Sequence, residues 1–157
     1  MITNQTRVQM LEGVRRILGG PEAALQSAAL PWRKSGKGIE IMLVTSRGTG
    51  RWVLPKGWPE KGETLSESAA REAAEEAGVE GRPEDDKAGV YYYDKVLRNG
   101  VMRRCEVHVF PIRVRRLAKV WPEFGQRERK WFPPAKAAKL VDEPDLAELI
   151  AGFSGNP

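Results

Sequence analysis

The stretch from Gly57 to Val79, GWPEKGETLSESAAREAAEEAGV, constrains this chain more than any other feature. Thr64 is followed three residues later by Glu67, the spacing at which two side chains cap each other's backbone N–H groups at the start of a helix. Leu65 to Ala77 holds neither Gly nor Pro and is rich in Ala and Glu. Gly78 stands where a helix commonly ends in the left-handed conformation. A helix over residues 65–77, about three and a half turns long, is therefore expected. On it Glu72, Glu75 and Glu76 are three and four residues apart and crowd onto one face. Ala69, Ala70, Ala73 and Ala77 make a neighbouring face small enough to lie close against a sheet.

Crowded carboxylates repel one another by about 0.2–0.5 kcal/mol per pair at helical spacing. A cation removes that penalty, and hard oxygen donors suit Mg2+ or Mn2+. Arg71 is expected to pair with Glu63, eight residues before it, and so hold the preceding loop against the helix. Gly57 and Gly62 let that loop turn tightly, and Gly57 lets a backbone carbonyl approach a metal. The plain alternative is a solvated Glu-rich helix face, the usual meaning of such a run. The Gly and Arg positions that accompany the carboxylates favour the metal.

At 157 residues the chain is long enough to bury a core and suits one domain. With 41% hydrophobic and 30% charged residues it has ordinary globular composition, and disorder is excluded as a description of the whole. No apolar run reaches spanning length and no secretory core is visible, so no membrane partner is expected. The single Cys105 rules out an intrachain disulfide and fits a reducing, cytoplasmic setting. The net charge is +5 despite the acidic stretch, which suits a polyanionic substrate or a nucleic acid, although solubility alone would also account for it.

Residues 6–18 make an amphipathic helix candidate, with Val8, Leu11, Val14, Ile17 and Leu18 near one stripe, ended by Gly19-Gly20-Pro21. It is read, with its linker over residues 1–21, as an accessory helix packed on the domain. Strands are expected over 23–32, 39–45, 51–54, 89–97, 103–116 and 129–132, with Asn99-Gly100 as a hairpin turn and Pro111 at an edge or a bulge. In the strand after the turn, Cys105, Val107, Val109 and Ile112 are taken as the inward set. Helices are expected over 135–140 and 144–150, and residues 153–157 form a short tail. Mixed strands between a few helices give an α/β/α sandwich with a curved mixed sheet.

The spacing G-x5-E-x7-R-E-U-x-E-E-x-G-U, with U a bulky aliphatic residue, resembles the Nudix box of the Nudix hydrolase superfamily. Every charged and glycine position is filled, and Ala73 is a smaller residue at the first U. The resemblance covers residues 22–152. It implies an enzyme that uses a divalent cation, Mg2+ or Mn2+, to aim a water at a phosphoanhydride bond. It further implies Glu75 and Glu76 as the main metal ligands and Glu72 as a ligand or water-activating group. Glu63 and Arg71 would orient them, and the carbonyl of Lys56 would be a further ligand. An acidic residue outside the box is expected from Glu128, with Glu123 second.

The entry to the box, from Arg47 and Arg51 through Lys56-Gly57-Trp58, resembles that of diphosphoinositol polyphosphate and diadenosine polyphosphate phosphohydrolases. So does Arg127 to Phe132. Such a substrate would be held by Arg33, Arg47, Arg51, Lys56, Lys61 and Arg103, since Arg–phosphate contacts are strong. Other nucleoside diphosphate derivatives, a 5′-triphosphate RNA and a non-catalytic nucleotide-binding module are the alternatives, and a homodimer is left open. Tyr91, Tyr92 and Tyr93 alternate faces, so some pack inward while another could stack on a base. Trp52 and Trp131 read as structural and Trp58 as exposed near substrate. His108 and Cys105 read as a satisfied surface residue and a buried thiol.

Overall fold

In the computed structural model, residues 1–155 are described; the last two positions of the expected 153–157 tail lie outside them. Helix α1 (Asn4–Ile17) is followed by β1 (Ala24–Ser35), β2 (Gly38–Thr45), β3 (Trp52–Val53) and β4 (Lys56–Gly57). Then come α2 (Leu65–Ala77), β5 (Val79–Glu80), β6 (Gly89–Val96), β7 (Met102–Arg113), β8 (Arg116–Leu117) and β9 (Arg129–Phe132). Two helices, α3 (Pro134–Leu140) and α4 (Pro144–Ala151), close the chain.

The main sheet runs β3-β2-β1-β7-β6, with β4 also on β1 and β9 also on β2, while β5 and β8 pair separately. Only β1 and β7 run parallel within it, from Ala24 opposite Cys105 to Trp32 opposite Arg113. Side chains alternate across a strand, so each central strand feeds two cores. Ala28, Leu30, Ile41, Leu43, Cys105, Val107 and Val109 meet α3 and α4 through Ala137, Leu146 and Ile150. Ala29, Met42, Val44, Phe110 and Ile112 meet Ala69, Ala73 and Ala77 of α2 on the opposite side. This is the expected α/β/α sandwich around a mixed sheet.

Ile112 departs from its expected place. It shares the α2 side with Phe110, because an even-numbered residue of β7 cannot face with Cys105, Val107 and Val109. Pro111 lies beyond Val109, where β6 pairing ends, so its missing N–H interrupts no β6 bond. The β6–β7 hairpin turns at Gly100, whose φ of 78° suits glycine. Trp52 packs edge-on against Phe132, as a structural role requires. Among the described residues no helix is long and apolar enough to cross a membrane.

Two features position the site. Along one side β1 pairs first with β4, at Ser27–Gly57 and Ala28–Lys56, and then with β2 from Trp32 onward. The short β4 therefore sits at the point where β2 has left β1. Helix α2 begins with the expected reciprocal cap between Thr64 and Glu67 and ends on Gly78 at φ 64°. Ser27 Oγ donates to the Leu65 carbonyl and anchors the first turn of α2 over β1.

Candidate active site

Strand alternation turns Gly57 toward α2 and Lys56 toward the other face, since their partners Ser27 and Ala28 divide the same way. Glu72 rises from α2 into the space above Gly57. A Cβ on Gly57 would lie 2.2 Å from Glu72 Oε1, so the position admits no side chain while Glu72 holds its place. One turn further on, Glu76 accepts from the Lys56 backbone N–H at 3.3 Å. Glu72 and Glu76 are both buried, an arrangement that needs compensating charge.

Two arginines supply part of it. Arg71 donates through Nε to Glu63 at 2.8 Å and through Nη1 to Glu72 at 2.9 Å, and it reaches Glu75 at 3.4 Å. Its Nη2 also donates to the Trp58 carbonyl at 3.0 Å, which ties the loop to the helix as the sequence implied. Arg127 donates to Glu76 at 3.2 Å, to Glu123 at 2.9 Å and to the Thr45 carbonyl at 3.1 Å. It is 51 residues from Glu76, and only the fold brings the two together.

Burial dominates the acid strengths. It raises the Glu72 carboxyl above its usual value, against the opposing pull of Arg71. It pushes Glu76 up to about 7, with Arg127 and Lys56 opposing, and it lowers the Lys56 ammonium to about 8. Arg71 conversely holds the Glu63 carboxyl below its ordinary range. Glu72 and Glu76 thus remain under-compensated: each gains from a further positive charge nearby.

These groups open into a cleft of about 850 Å³. Gln26, Tyr93, Lys56, Arg47, Trp58 and Arg127 line it, together with Lys95 and Arg98 of the β6–β7 hairpin. Lys56 Nζ lies 4.9 Å from the centre of the Tyr93 ring, and the Tyr93 hydroxyl donates to Gln26 at 2.6 Å. Tyr91 is buried, and Tyr92 donates to Glu106, which also bonds His108. His108 is thus partnered, and Cys105 is buried as expected.

The structure brings together Glu63, Arg71, Glu72, Glu76, Lys56 and Arg47 of the expected site residues, with Glu75 at the margin and its side chain 39% exposed. The others stand elsewhere. Arg51 pairs with Glu143 and Asp142. Arg33 pairs with Glu40 and stacks on Trp131. Lys61 is exposed outside the cleft lining, and Arg103, though opposite Lys95 in register, is not part of that lining. Glu128 is exposed and bonds Thr45 through its backbone. The outside carboxylate that approaches is Glu123, close enough to raise both Glu72 and Glu76. Lys95 carried no signal of its own in sequence; Arg98 stood out only as one basic residue among many suited to a charged ligand, and Arg127 only as the start of the segment to Phe132 that resembles the polyphosphate phosphohydrolases, with no sign of its place beside Glu76.

The donors fit a hard divalent cation: they are all oxygen, two are buried and under-compensated, and Gly57 keeps the space beside Glu72 clear. Among the described residues no three acidic side chains form a ready metal-holding cluster; Glu72 is paired with Arg71 and Glu76 with Arg127.

The family model of the NUDIX domain matches residues 25–153. The chain belongs to the Nudix hydrolase family. Its Nudix box is the loop and helix just described, from Gly57 to Val79, and members of the family generally use divalent metal ions. It is 34% identical over 124 residues to Nudix hydrolase 21, chloroplastic, of Arabidopsis thaliana, covering 78% of this chain and 61% of that protein. It is 29% identical over 151 residues to diphosphoinositol polyphosphate phosphohydrolase 3-alpha of Mus musculus, covering 94% and 82%. A Caenorhabditis elegans Ap4A hydrolase binary complex shares the fold, with TM-score 0.65 at 22% identity over 84% of this chain and 96% of that one.

Proposed function

We propose that this Nudix chain is a pyrophosphohydrolase that cleaves a phosphoanhydride bond in a highly phosphorylated small molecule, of the diphosphoinositol polyphosphate or diadenosine polyphosphate kind, by attack of water. The observation that carries the reading is the division of labour among the cleft's cations. Arg71 and Arg127 are committed to carboxylates, whereas Lys56, Lys95 and Arg98 line the same cleft and form no ion pair among the described residues. Cations left without a carboxylate beside a buried acidic pair suit a substrate that brings several negative charges of its own.

Glu72 and Glu76 would hold the cation, Mg2+ or Mn2+, with Glu75 and the Lys56 carbonyl at its edge. Bound there, it would neutralise phosphate charge and acidify a water. Arg71 keeps Glu72 fixed between the loop and the helix. Arg127 keeps Glu76 and Glu123 together. Lys56, Lys95, Arg98 and the more exposed Arg47 bind and orient the phosphate chain. Trp58, 43% exposed at the lip, offers a flat apolar surface to whatever the phosphates carry. The sequence similarity to the mouse enzyme and the fold shared with the worm hydrolase support this substrate class.

The test is a panel of diadenosine polyphosphates, diphosphoinositol polyphosphates, ADP-ribose, nucleoside triphosphates and 5′-triphosphate RNA, each with Mg2+ or Mn2+. Selective turnover of the first two is expected. Preference for ADP-ribose or RNA would contradict the substrate class, and metal binding without turnover of any would favour a binding module.

A further inference from the structure

Helix α1 is seated with its polarity reversed. Its only carboxylate, Glu12, is 6% exposed and is held by Arg15 of the same helix and by Arg104 of β7, which also pairs with Asp94. Its first turn is fixed by Glu148 of α4, which accepts from the backbone N–H groups of Asn4 and Gln5. Gln5 lies beside Gly89 at the start of β6 and Glu12 beside Arg104 further along the hairpin, so α1 runs along the β6 edge. The polar side of the helix therefore faces the protein.

The opposite side faces outward and is apolar. Met10, Leu11, Val14, Ile17 and Leu18 are all more than half exposed, with Ile17 at 84% and Leu18 at 80%. At about 100° per residue these five fall within one arc of roughly 120°, centred opposite Glu12. The exposed pair Val96 and Met102 is the next same-face step of the hairpin after Asp94 and Arg104, and it extends the apolar surface past the helix. With Glu12 withdrawn, the exposed charges of α1 are Arg7 and Arg16, both positive.

We propose that α1 docks this protein on an anionic lipid surface, lying in the plane of the interface. An outward aliphatic stripe whose one charge is Arg7, within the same arc, matches acyl chains beneath negative headgroups, and the chain's net charge of +5 favours the same surface. A second copy of this chain fits less well. Apposed copies of α1 would enclose Arg7 of each in the seam with the helix's carboxylate, Glu12, turned away, and a helix about 21 Å long and about 10 Å wide has a footprint of roughly 200 Å². A standard interface buries about 800 Å² per partner. The absence of a spanning run in the sequence bears on crossing a membrane, not on lying upon one.

The experiment is co-flotation of the full chain with vesicles of phosphatidylcholine alone and of phosphatidylcholine with phosphatidylserine, at low and raised salt. The expected result is binding to the phosphatidylserine vesicles, weakening with salt, and reduced about tenfold or more by Ile17→Glu with Leu18→Glu. Both positions are exposed, so the variant should keep its thermal midpoint and its hydrolytic activity, which separates this proposal from the catalytic one. No binding by the unaltered chain, equal binding to both vesicle types, or binding unchanged in the variant overturns the proposal. A concentration-dependent dimer dispersed by the variant, without vesicle binding, overturns it in favour of a second copy.

Discussion

A methyl group on Gly57 would collide with the carboxylate of Glu72, at 2.2 Å from Oε1 and 2.8 Å from Oε2. Both atoms belong to the group that would hold a cation, so strain at this position falls on function first. Gly57→Ala should lower kcat about 100-fold while leaving the unfolding midpoint within a few degrees, since Glu72 can swing toward solvent. Turnover and thermal melting of the same preparation measure both. Unchanged turnover would mean that Glu72 does not need its observed place. Residues of this kind were legible in the sequence because their neighbours are local: Glu63, Arg71 and Glu72 meet across a loop and one helical turn. The meeting of Arg127 with Glu76 was not, because it depends on the fold bringing the loop before β9, held at the Thr45 carbonyl of β2, against α2.

At the scale of elements, what sequence showed well was whatever carries its own start and stop. The capped helix α2, the hairpin turn at Gly100 and the strand over Arg129–Phe132 each match their expected places. The two-residue strands β4, β5 and β8 escaped because only a partner defines them: Lys56–Gly57 is a strand by virtue of Ser27–Ala28. Helix α1 was correctly placed but its orientation was hidden, since periodicity marks a stripe without saying which way it faces. Its seat on Glu12 has a pH signature. Hydrogen bonding to Arg15, seconded by Arg104, holds the Glu12 carboxyl below its ordinary 4.5. A depressed carboxyl stabilises the folded state above its unfolded pKa, and the contribution disappears as pH falls through the folded value. Glu12→Gln should therefore melt below the parent near about pH 7, with the gap closing as pH falls below the ordinary carboxylate range. A gap that stays constant with pH would remove the ion pair as the anchor of α1.

At the scale of the whole molecule, the cleft exists because β1 exchanges β4 for β2 along one side and α2 crosses above that point. Arg127, from the loop before β9, joins α2, β2 and Glu123 across it. Arg127→Ala should leave Glu76 buried without its arginine and cost about 3 kcal/mol, read as a lowered denaturant midpoint, together with most of the activity. A stability loss without an activity loss would confine Arg127 to the scaffold. The central claim is that the Glu72–Glu76 pair holds the cation on which turnover depends. Its most direct test is a Mn2+ titration followed by electron paramagnetic resonance, alongside hydrolysis, in the parent and in Glu76→Gln. Saturable Mn2+ binding that tracks activity in the parent, with both reduced about 100-fold or more in a folded Glu76→Gln, is the predicted result. Full metal affinity and turnover in Glu76→Gln would contradict it.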